Sequence, residues 1–520
     1  MTVMYKYYQY LESEGEKLYT AILLPEKEGK FPTVIIRNCY VDHLIDLTEE
    51  EVLAQYEETN YINHGYAVVV QHCRGCGKSS GDCVPYIHER EDGLALREWI
   101  RKQSFYNGQL LLSGGSYLTS VHMTTAPFES DVIGAVLRVQ DSERYNCNYR
   151  NGFYKVGLHG GWYVGMYKRN KRIPKSYTTE CYNMLPLSDF SKAVFGESVP
   201  DFDEILKHPK KDDPFWTTHR YGGAEAHDAL KNANIPILIT TAFYDIYTGG
   251  IFDIWNNLSQ ETREKCAFVV NPYAHSGKKT ESPIEFPNGE MAEAFDWMSE
   301  ADWFDAVLGK REYPFEQGKV TYYRLFENAW KTDNFEFGTK TKRFTLGDGE
   351  KTYTYNPYAP AHFKGGLSNN FGGSELQDAP NSRYDILSFY TEEFSEDTFV
   401  KGKMSAKLTV KTDCEDTCFY VRVSITKPEG DYGLRDDINS VCNFKPDYNP
   451  GEYVEMSFAF DEHAFLVKKG EKLRVDISSS AFPLFVPHTN TRGLFSEAET
   501  AKVAHNTVVL DKSYLEIVFE

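Results

Sequence analysis

Ser116 is the residue whose sequence surroundings best suit a chemical role. It lies in the segment QLLLSGGSYLT at 109–119, where an apolar run ends in two glycines and a serine before a helical pattern begins. A turn of this kind between strand and helix presents a serine nucleophile, and small neighbours are needed because the two backbones nearly touch. The pattern Gly-x-Ser recurs at Ser79, Ser198 and Ser374, but none of these follows an apolar run. The context therefore predicts Ser116 as a nucleophile.

A serine nucleophile needs a base within hydrogen-bond reach and an acidic group that orients the base. After a turn of this type, the acid precedes the histidine in the chain. Asp245 follows the apolar run 237–243, and His275 follows the run 268–271, whereas His159 comes too early for this order. An aspartate after a strand is also typical of a turn or a helix cap, which leaves that alternative open for Asp245. The order of the three residues predicts His275 as the base and Asp245 as the acid.

The elements that must position these residues have the pattern of an α/β domain. Continuous apolar runs, typical of parallel strands buried on both faces, occur at 31–38, 66–71, 110–113, 132–139, 235–243 and 266–272. Between two of these runs, residues 89–103 carry apolar side chains at helical spacing. Alternating strands and helices predict a doubly wound parallel sheet.

Two other regions depart from this alternation. Residues 141–232 are rich in tyrosine, asparagine and lysine, and predict a helical cap inserted between the two parts of the α/β domain, at 1–140 and 233–312. A last amphipathic helix is expected over 291–309. Residues 313–520 alternate polar and apolar positions between turns, which predicts an all-β jelly roll that includes a strand at 320–326.

The composition excludes several classes of protein. The formal charge is -20, which argues against a nucleic-acid partner because such a partner requires a basic face. The N-terminus has no apolar signal region, and no stretch reaches the roughly 20 apolar residues of a membrane span. The 10 cysteines lack the spacing of a disulfide framework or a zinc site, so we expect reduced thiols in a cytoplasmic protein without a metal or another cofactor. The sequence leaves the oligomeric state open, with self-association through the jelly roll into a homo-oligomer as one alternative.

The chain also resembles a known family of serine hydrolases, the cocaine esterases and X-prolyl dipeptidyl-peptidases. The segments that carry the resemblance are RGCGKSSGD at 74–82, EDGLALREWI at 91–100, GGSYL at 114–118, FYDIY at 243–247 and PYAHS at 272–276. Further matching segments are RYDILSF at 383–389, SSSAFP at 478–483 and HNTVVL at 505–510. The resemblance implies an α/β-hydrolase core, an inserted helical cap and a C-terminal jelly-roll domain.

The resemblance further implies the roles of site residues. It assigns Ser116 as nucleophile, Asp245 as acid and His275 as base. It also implies an oxyanion hole formed by the backbone N–H of Tyr117 and the hydroxyl of Tyr40.

In this family a glycine usually stands three residues after the serine, where strand and helix approach most closely. This chain has the β-branched Thr119 at that position. We expect either that the helix lies slightly farther out or that the turn is altered.

The expected reaction is transfer of an acyl group from a small ester, or from an amide in a short peptide, to water. Phe153, Trp162 and Tyr163 in the cap are candidates for an acyl pocket, although such aromatic residues are often packing residues of the cap itself. An X-Pro peptidase needs a carboxylate for the substrate ammonium, and Asp212 and Asp213 are candidates for it.

We expect an esterase, because the first core strand is reached by about residue 33, which leaves no room for the extra N-terminal domain of the large X-prolyl enzymes. An X-Pro dipeptidyl-peptidase or an amino-acid ester hydrolase is the alternative. A third possibility is a binding protein in which the jelly roll is functional and the hydrolase core is degenerate.

Overall fold

The computed structural model describes residues 4–141, 143–167, 178–217, 230–275, 284–367 and 372–520. The first twelve strands are β1 (Tyr5–Ser13), β2 (Glu16–Leu24), β3 (Phe31–Asn38), β4 (Ala67–His72), β5 (Tyr106–Gly115), β6 (Val132–Arg138), β7 (Tyr149–Arg150), β8 (Phe153–Tyr154), β9 (Ile237–Tyr244), β10 (Ala267–Ala274), β11 (Val320–Arg324) and β12 (Ala329–Asp333). Apart from the small hairpin β7–β8, they form one sheet of ten strands within the described residues.

The order of strands in the large sheet is β1-β2-β4-β3-β5-β6-β9-β10-β11-β12. The strands from β4 to β11 in this order run parallel. Every residue of β4, β9 and β10 is buried, which explains their continuous apolar runs, since helices cover both faces of such a sheet. Because the strands are parallel, β5, β9 and β10 end at the same edge, and the residues that follow them meet there.

The strand predicted at 320–326 for the jelly roll belongs to the large sheet instead. It forms β11, which pairs in parallel with β10, and β12 then adds an antiparallel edge. The boundary at residue 313 therefore does not separate the two sheets. Period-two alternation marks a strand, but the choice of partner depends on packing, and here the first four residues of β11 are all buried.

Helices surround the sheet and recur through the described part of the inserted region. Those described are α1 (Glu49–Gln55), α2 (Thr59–Asn63), α3 (Glu89–Arg101), α4 (Tyr117–Met123), α5 (Arg144–Asn148), α6 (Gly161–Tyr167), α7 (Phe190–Phe195), α8 (Pro200–Ile205), α9 (Pro214–Thr217), α10 (Thr248–Asn257), α11 (Gln260–Arg263), α12 (Met291–Ala294), α13 (Glu300–Val307) and α14 (Val441–Phe444). The predicted helix at 89–103 corresponds to α3. None of the described helices is long and apolar enough to cross a membrane.

The single helix predicted over 291–309 is two helices, α12 and α13. The chain leaves the helical conformation at Phe295, and α13 begins after Ser299, whose backbone N–H donates to the Asp302 carboxylate at 3.0 Å. Amphipathic spacing continues across the break, which is why the pattern alone did not reveal it. Gly309 follows the end of α13 with a φ of 71°, a conformation that suits glycine.

The inserted region contains an aromatic core, formed among others by Tyr149, Phe190 and Trp216, into which Phe482 of the C-terminal region packs. It is also joined to the C-terminal domain by ion pairs. The Arg150 guanidinium lies 2.8 Å from the Asp437 carboxylate and 2.9 Å from that of Asp461.

The C-terminal region is a β-sandwich. Its strands are β13 (Lys340–Thr345), β14 (Glu350–Tyr355), β15 (Leu387–Tyr390), β16 (Thr398–Gly402), β17 (Ser405–Thr412), β18 (Cys418–Lys427), β19 (Gly430–Ser440), β20 (Val454–Ala459), β21 (His463–Val467), β22 (Lys472–Ser478) and β23 (Ala504–Phe519). One sheet has the order β20-β17-β23-β16-β21, with β13 and β14 also paired to β23, and the other has the order β15-β22-β18-β19. Edge strand β20 alternates buried and exposed residues, as expected for a sheet with one solvated face.

Candidate active site

Ser116 lies on a strained turn between β5 and α4. Its φ of 55° and ψ of −130° place it in a region that residues with a side chain rarely adopt, at a typical cost of about 1–3 kcal/mol. A Cβ added at Gly114 would lie 2.1 Å from the Leu118 carbonyl oxygen, so this position requires glycine. At Gly115 the nearest atom to an added Cβ would be a guanidinium nitrogen of Arg138, 3.1 Å away. The strand and the helix therefore touch at Gly114, while Gly115 is a looser position.

His275 and Asp245 are aligned behind Ser116. The Oγ of Ser116 lies 3.0 Å from Nε2 of His275, and Nδ1 of the same ring lies 2.7 Å from Oδ2 of Asp245. Asp245 is fully buried just after β9, and its Oδ1 accepts the backbone N–H of Tyr247 at 2.7 Å. The structure therefore brings the three predicted residues together in one hydrogen-bonded chain of side chains. In this geometry His275 can take the hydroxyl proton while Asp245 holds the ring in place.

The two residues predicted for the oxyanion hole line the same cavity as Ser116. Tyr40 follows β3, and its hydroxyl oxygen accepts the indole N–H of Trp162 at 3.1 Å. Tyr117 is the first residue of α4, where a backbone N–H has no partner within the helix. The Tyr117 phenol donates to Glu89 and accepts the backbone N–H of Tyr86, both at 2.8 Å, and burial raises its pKa. This side chain anchors the start of α4 and remains neutral.

A cavity of about 320 Å³ opens in front of Ser116. Its lining combines residues after the sheet strands with residues of the inserted region: Tyr40, Tyr86, Ser116, Tyr117, Gln140, Leu158, His159, Trp162, Tyr247 and His275. Of the three cap residues predicted for the acyl pocket, Trp162 lies here. The inserted region therefore covers the site, as expected for a segment inserted after a sheet strand.

Phe153 and Tyr163 lie elsewhere, and this part of the prediction is corrected. Phe153 packs against the β-sandwich, in a cluster with Tyr420 and Leu484. The Tyr163 hydroxyl accepts a hydrogen bond from Nε of Arg144 at 3.1 Å within the core of the inserted region. Hairpin β7–β8 carries Phe153 toward the sandwich, whereas the first turn of α6 turns the side chains of Trp162 and Tyr163 in different directions. Aromatic composition alone cannot separate these environments.

Five lining residues were not predicted as site residues: Tyr86, Gln140, Leu158, His159 and Tyr247. The imidazole of His159 is 3% exposed, with Nε2 3.0 Å from the Tyr247 hydroxyl, and burial lowers its pKa well below the ordinary value. It is therefore a neutral part of the wall. Tyr247 could have been found from its position two residues after Asp245. The other four line the cavity only because segments that are distant in the chain pack together.

Asp212 and Asp213 do not reach this cavity. They line a separate cavity of about 940 Å³ between the inserted region and the β-sandwich. Asp213 accepts the backbone N–H of Phe215 at 2.9 Å and lies 2.9 Å from Nδ1 of His208. It therefore caps α9, which is the ordinary role of an aspartate before a proline that begins a helix.

A mixed sheet that presents Ser116 on a strained turn, with an inserted region above it and a β-sandwich after it, defines an α/β-hydrolase of the serine hydrolase class. The family model described as X-Pro dipeptidyl-peptidase (S15 family) matches residues 14–277, and the X-Pro dipeptidyl-peptidase C-terminal non-catalytic domain matches residues 315–516. The chain belongs to this family. The expected family and fold class are thereby confirmed.

Individual relatives extend over almost the whole chain. The cocaine esterase of Rhodococcus sp. (strain MB1 Bresler) is 23% identical over 557 residues, covering 94% of this chain and 92% of that protein. An aminopeptidase from the marine sediment archaeon Thaumarchaeota archaeon has a similar structure, with a TM-score of 0.79, 18% identity and coverage of 99% and 96%. A selenomethionine-labelled α-amino acid ester hydrolase also has a TM-score of 0.79 and 18% identity, with coverage of 99% and 97%. The two structural similarities establish a shared fold.

Proposed function

We propose that this enzyme hydrolyses carboxylic esters through an acyl-enzyme on Ser116. The observation that carries the proposal is the chain of hydrogen bonds from Ser116 through His275 to the buried Asp245. Ser116 and His275 line a cavity of about 320 Å³. His275 takes the Ser116 proton as Oγ attacks the ester carbonyl carbon, and returns that proton to the departing alcohol. It then activates a water molecule that releases the acid and regenerates Ser116.

The Tyr117 backbone N–H and the Tyr40 hydroxyl stabilise the negative oxygen of the tetrahedral intermediate in this proposal. Donors of this kind act where charge develops during the reaction, and so lower the barrier more than they strengthen substrate binding. The indole N–H of Trp162 occupies a lone pair of the Tyr40 oxygen, at 3.1 Å. This contact turns the phenolic hydrogen away from the indole.

The lining of the cavity favours a compact acyl group without charge. Its walls are largely aromatic, and Gln140 and the neutral His159 add polar groups without charge. Among the described residues that line it, none has a carboxylate. A substrate ammonium would need one, because a buried cation without a partner is costly. The names of two relatives, a cocaine esterase and an α-amino acid ester hydrolase, agree with ester hydrolysis.

X-Pro dipeptidyl-peptidase activity is the alternative that the family description favours. It requires recognition of a free N-terminal ammonium, and the carboxylates considered for it, Asp212 and Asp213, line a different cavity. We therefore favour ester hydrolysis over X-Pro dipeptidyl-peptidase activity.

Labelling with a fluorophosphonate probe tests the nucleophile. We expect the native protein to be labelled and the Ser116→Ala variant to remain unlabelled, with circular dichroism showing that the variant is folded. Absence of labelling in the native protein would contradict the proposed mechanism.

A substrate panel then separates the two activities. It compares p-nitrophenyl acetate, butyrate and benzoate with p-nitrophenyl esters of alanine and with Ala-Pro-p-nitroanilide. We expect the highest kcat/KM for uncharged acyl groups. Turnover of the anilide alone would assign the enzyme to the peptidase branch.

A further inference from the structure

Thr119 has an unexpected role in the turn that carries Ser116. Its side chain is fully buried, and its hydroxyl oxygen lies 2.8 Å from the carbonyl oxygens of both Gly114 and Arg138. The same oxygen accepts the backbone N–H of Arg138 at 2.9 Å. Since a hydroxyl has one hydrogen, it donates to one of the two carbonyls at a time. One side chain thus connects the end of β5, the end of β6 and the first turn of α4.

The same carbonyl group also holds the nucleophile. The backbone N–H of Ser116 donates to the Arg138 carbonyl oxygen at 2.9 Å, and the N–H of Thr119 donates to the Ser116 carbonyl at 2.8 Å. Ser116 has a φ of 55°, and a conformation of this kind persists only where the surroundings enforce it. The hydrogen bonds of the Thr119 hydroxyl are the side-chain contacts that help to hold Ser116 in this conformation.

The structure shows how the turn accommodates Thr119. The close approach of strand and helix is preserved at Gly114, whose added Cβ would meet Leu118. Thr119 is accommodated because its hydroxyl lies between the two strand ends, while the residue also borders a void of about 10 Å³ lined by Met123 and Leu137.

We propose that Thr119 is a positioning residue whose buried hydroxyl holds Ser116 Oγ within reach of His275. This inference rests on the proposed function, because it concerns the reactivity of the same nucleophile. Loss of the hydroxyl leaves the N–H of Arg138 without its partner and lets the turn relax. A small displacement of a reacting group lowers the reaction rate strongly, and we expect Ser116 to become about tenfold less reactive.

The test compares Thr119→Val and Thr119→Ser. For each variant we would measure the rate constant for fluorophosphonate labelling, kcat and KM for p-nitrophenyl butyrate, and the Tm. Thr119→Val should lower the labelling rate and kcat about tenfold while KM changes less than about twofold, because only the nucleophile is misplaced. Thr119→Ser, which retains the hydroxyl, should restore both rates to near the native values. Thr119→Ala replaces the valine variant if that variant does not fold.

Thr125→Val is the matched control. Thr125 is also buried just after α4, and its hydroxyl donates to the His122 carbonyl at 2.6 Å, far along the helix from Ser116. This variant should lose stability but label at the native rate.

Three outcomes overturn the inference. Native labelling and kcat in Thr119→Val would show that Thr119 only stabilises the fold. A serine variant as slow as the valine variant would exclude the hydroxyl as the cause. A native protein that the probe does not label would contradict the proposed function itself, which distinguishes that failure from a failure of the positioning role alone.

Discussion

The indole N–H of Trp162 donates to the hydroxyl of Tyr40 at 3.1 Å, although 122 positions separate the two residues. Tyr40 follows a core strand, whereas Trp162 belongs to the inserted region. The indole ring also lies 5.3 Å from the Tyr117 ring, measured between centroids. One residue of the inserted region thus contacts both residues proposed for the oxyanion hole, so this region would help to position them in the proposed mechanism.

Tyr40→Phe should lower kcat by roughly a hundredfold to a thousandfold, the usual loss for one oxyanion donor. KM should change little, since the hydroxyl acts on the developing charge. Trp162→Phe should have a smaller effect, about tenfold or less, because it removes a contact that orients the hydroxyl and retains the donor itself. Steady-state kinetics with a p-nitrophenyl ester measure both variants. A near-native rate in Tyr40→Phe would remove Tyr40 from the mechanism.

Asp245→Asn should lower kcat by about 10⁴-fold, because an amide cannot hold the His275 ring in the required tautomer. Asp245 is fully buried and lies 2.7 Å from Nδ1 of that ring. Asp348→Asn, at an exposed carboxylate of the β-sandwich, provides the control and should retain native activity. Single-turnover acylation, followed by release of p-nitrophenol, gives the relevant rate. A loss of less than tenfold in the Asp245 variant would contradict its orienting role.

Gly114→Ala should destabilise the fold much more than Gly115→Ala. The first places a Cβ 2.1 Å from the Leu118 backbone oxygen, which cannot rotate away, whereas the second meets the flexible end of Arg138 at 3.1 Å. We expect Gly114→Ala to destabilise the fold by more than about 3 kcal/mol, and Gly115→Ala by less than about 1 kcal/mol. Urea unfolding followed by fluorescence measures the difference. Equal stability of the two variants would show that the turn can relax.

Asp141→Asn should change how stability depends on pH. Asp141 is buried beside β6, and this burial raises its pKa from 3.8 to about 7 even though it accepts the N–H of Glu143. The folded state therefore binds the proton more tightly than the unfolded state, and native stability falls as the pH rises from about 4 to about 7. An asparagine remains neutral throughout this range.

The Tm difference between Asp141→Asn and the native protein should therefore increase between pH 4 and pH 7 and remain constant above pH 7. Thermal unfolding in a series of buffers of equal ionic strength measures it. Parallel profiles for the two proteins would indicate that Asp141 is ionised in the folded state across the whole range.

The sequence by itself determined the class of the fold and the residues most suited to chemistry. Buried parallel strands leave continuous apolar runs, and Asp245 and His275 each come within a few residues after such a run. Parallel strands end at one edge of the sheet, so residues that are distant in the chain could be expected to meet there. These local patterns were enough to predict that Ser116, Asp245 and His275 lie at one edge of the sheet. The resemblance to a known family added Tyr40 and Tyr117.

Only the tertiary structure decided which residues surround Ser116, His275 and Asp245. The inserted region contains many aromatic side chains, and the packing of its short helices directs Trp162 to the cavity while Phe153 packs on the β-sandwich. The pairing of Val320–Arg324 was also decided by packing. Its alternating pattern suits a strand of the large sheet or of the β-sandwich, and in the structure it pairs with β10 of the large sheet. The hydrogen bonds of Thr119 were equally hidden, because they join the ends of two strands that the sequence separates. Local pattern specifies the type of element, but contacts between elements depend on the shape of the assembled core.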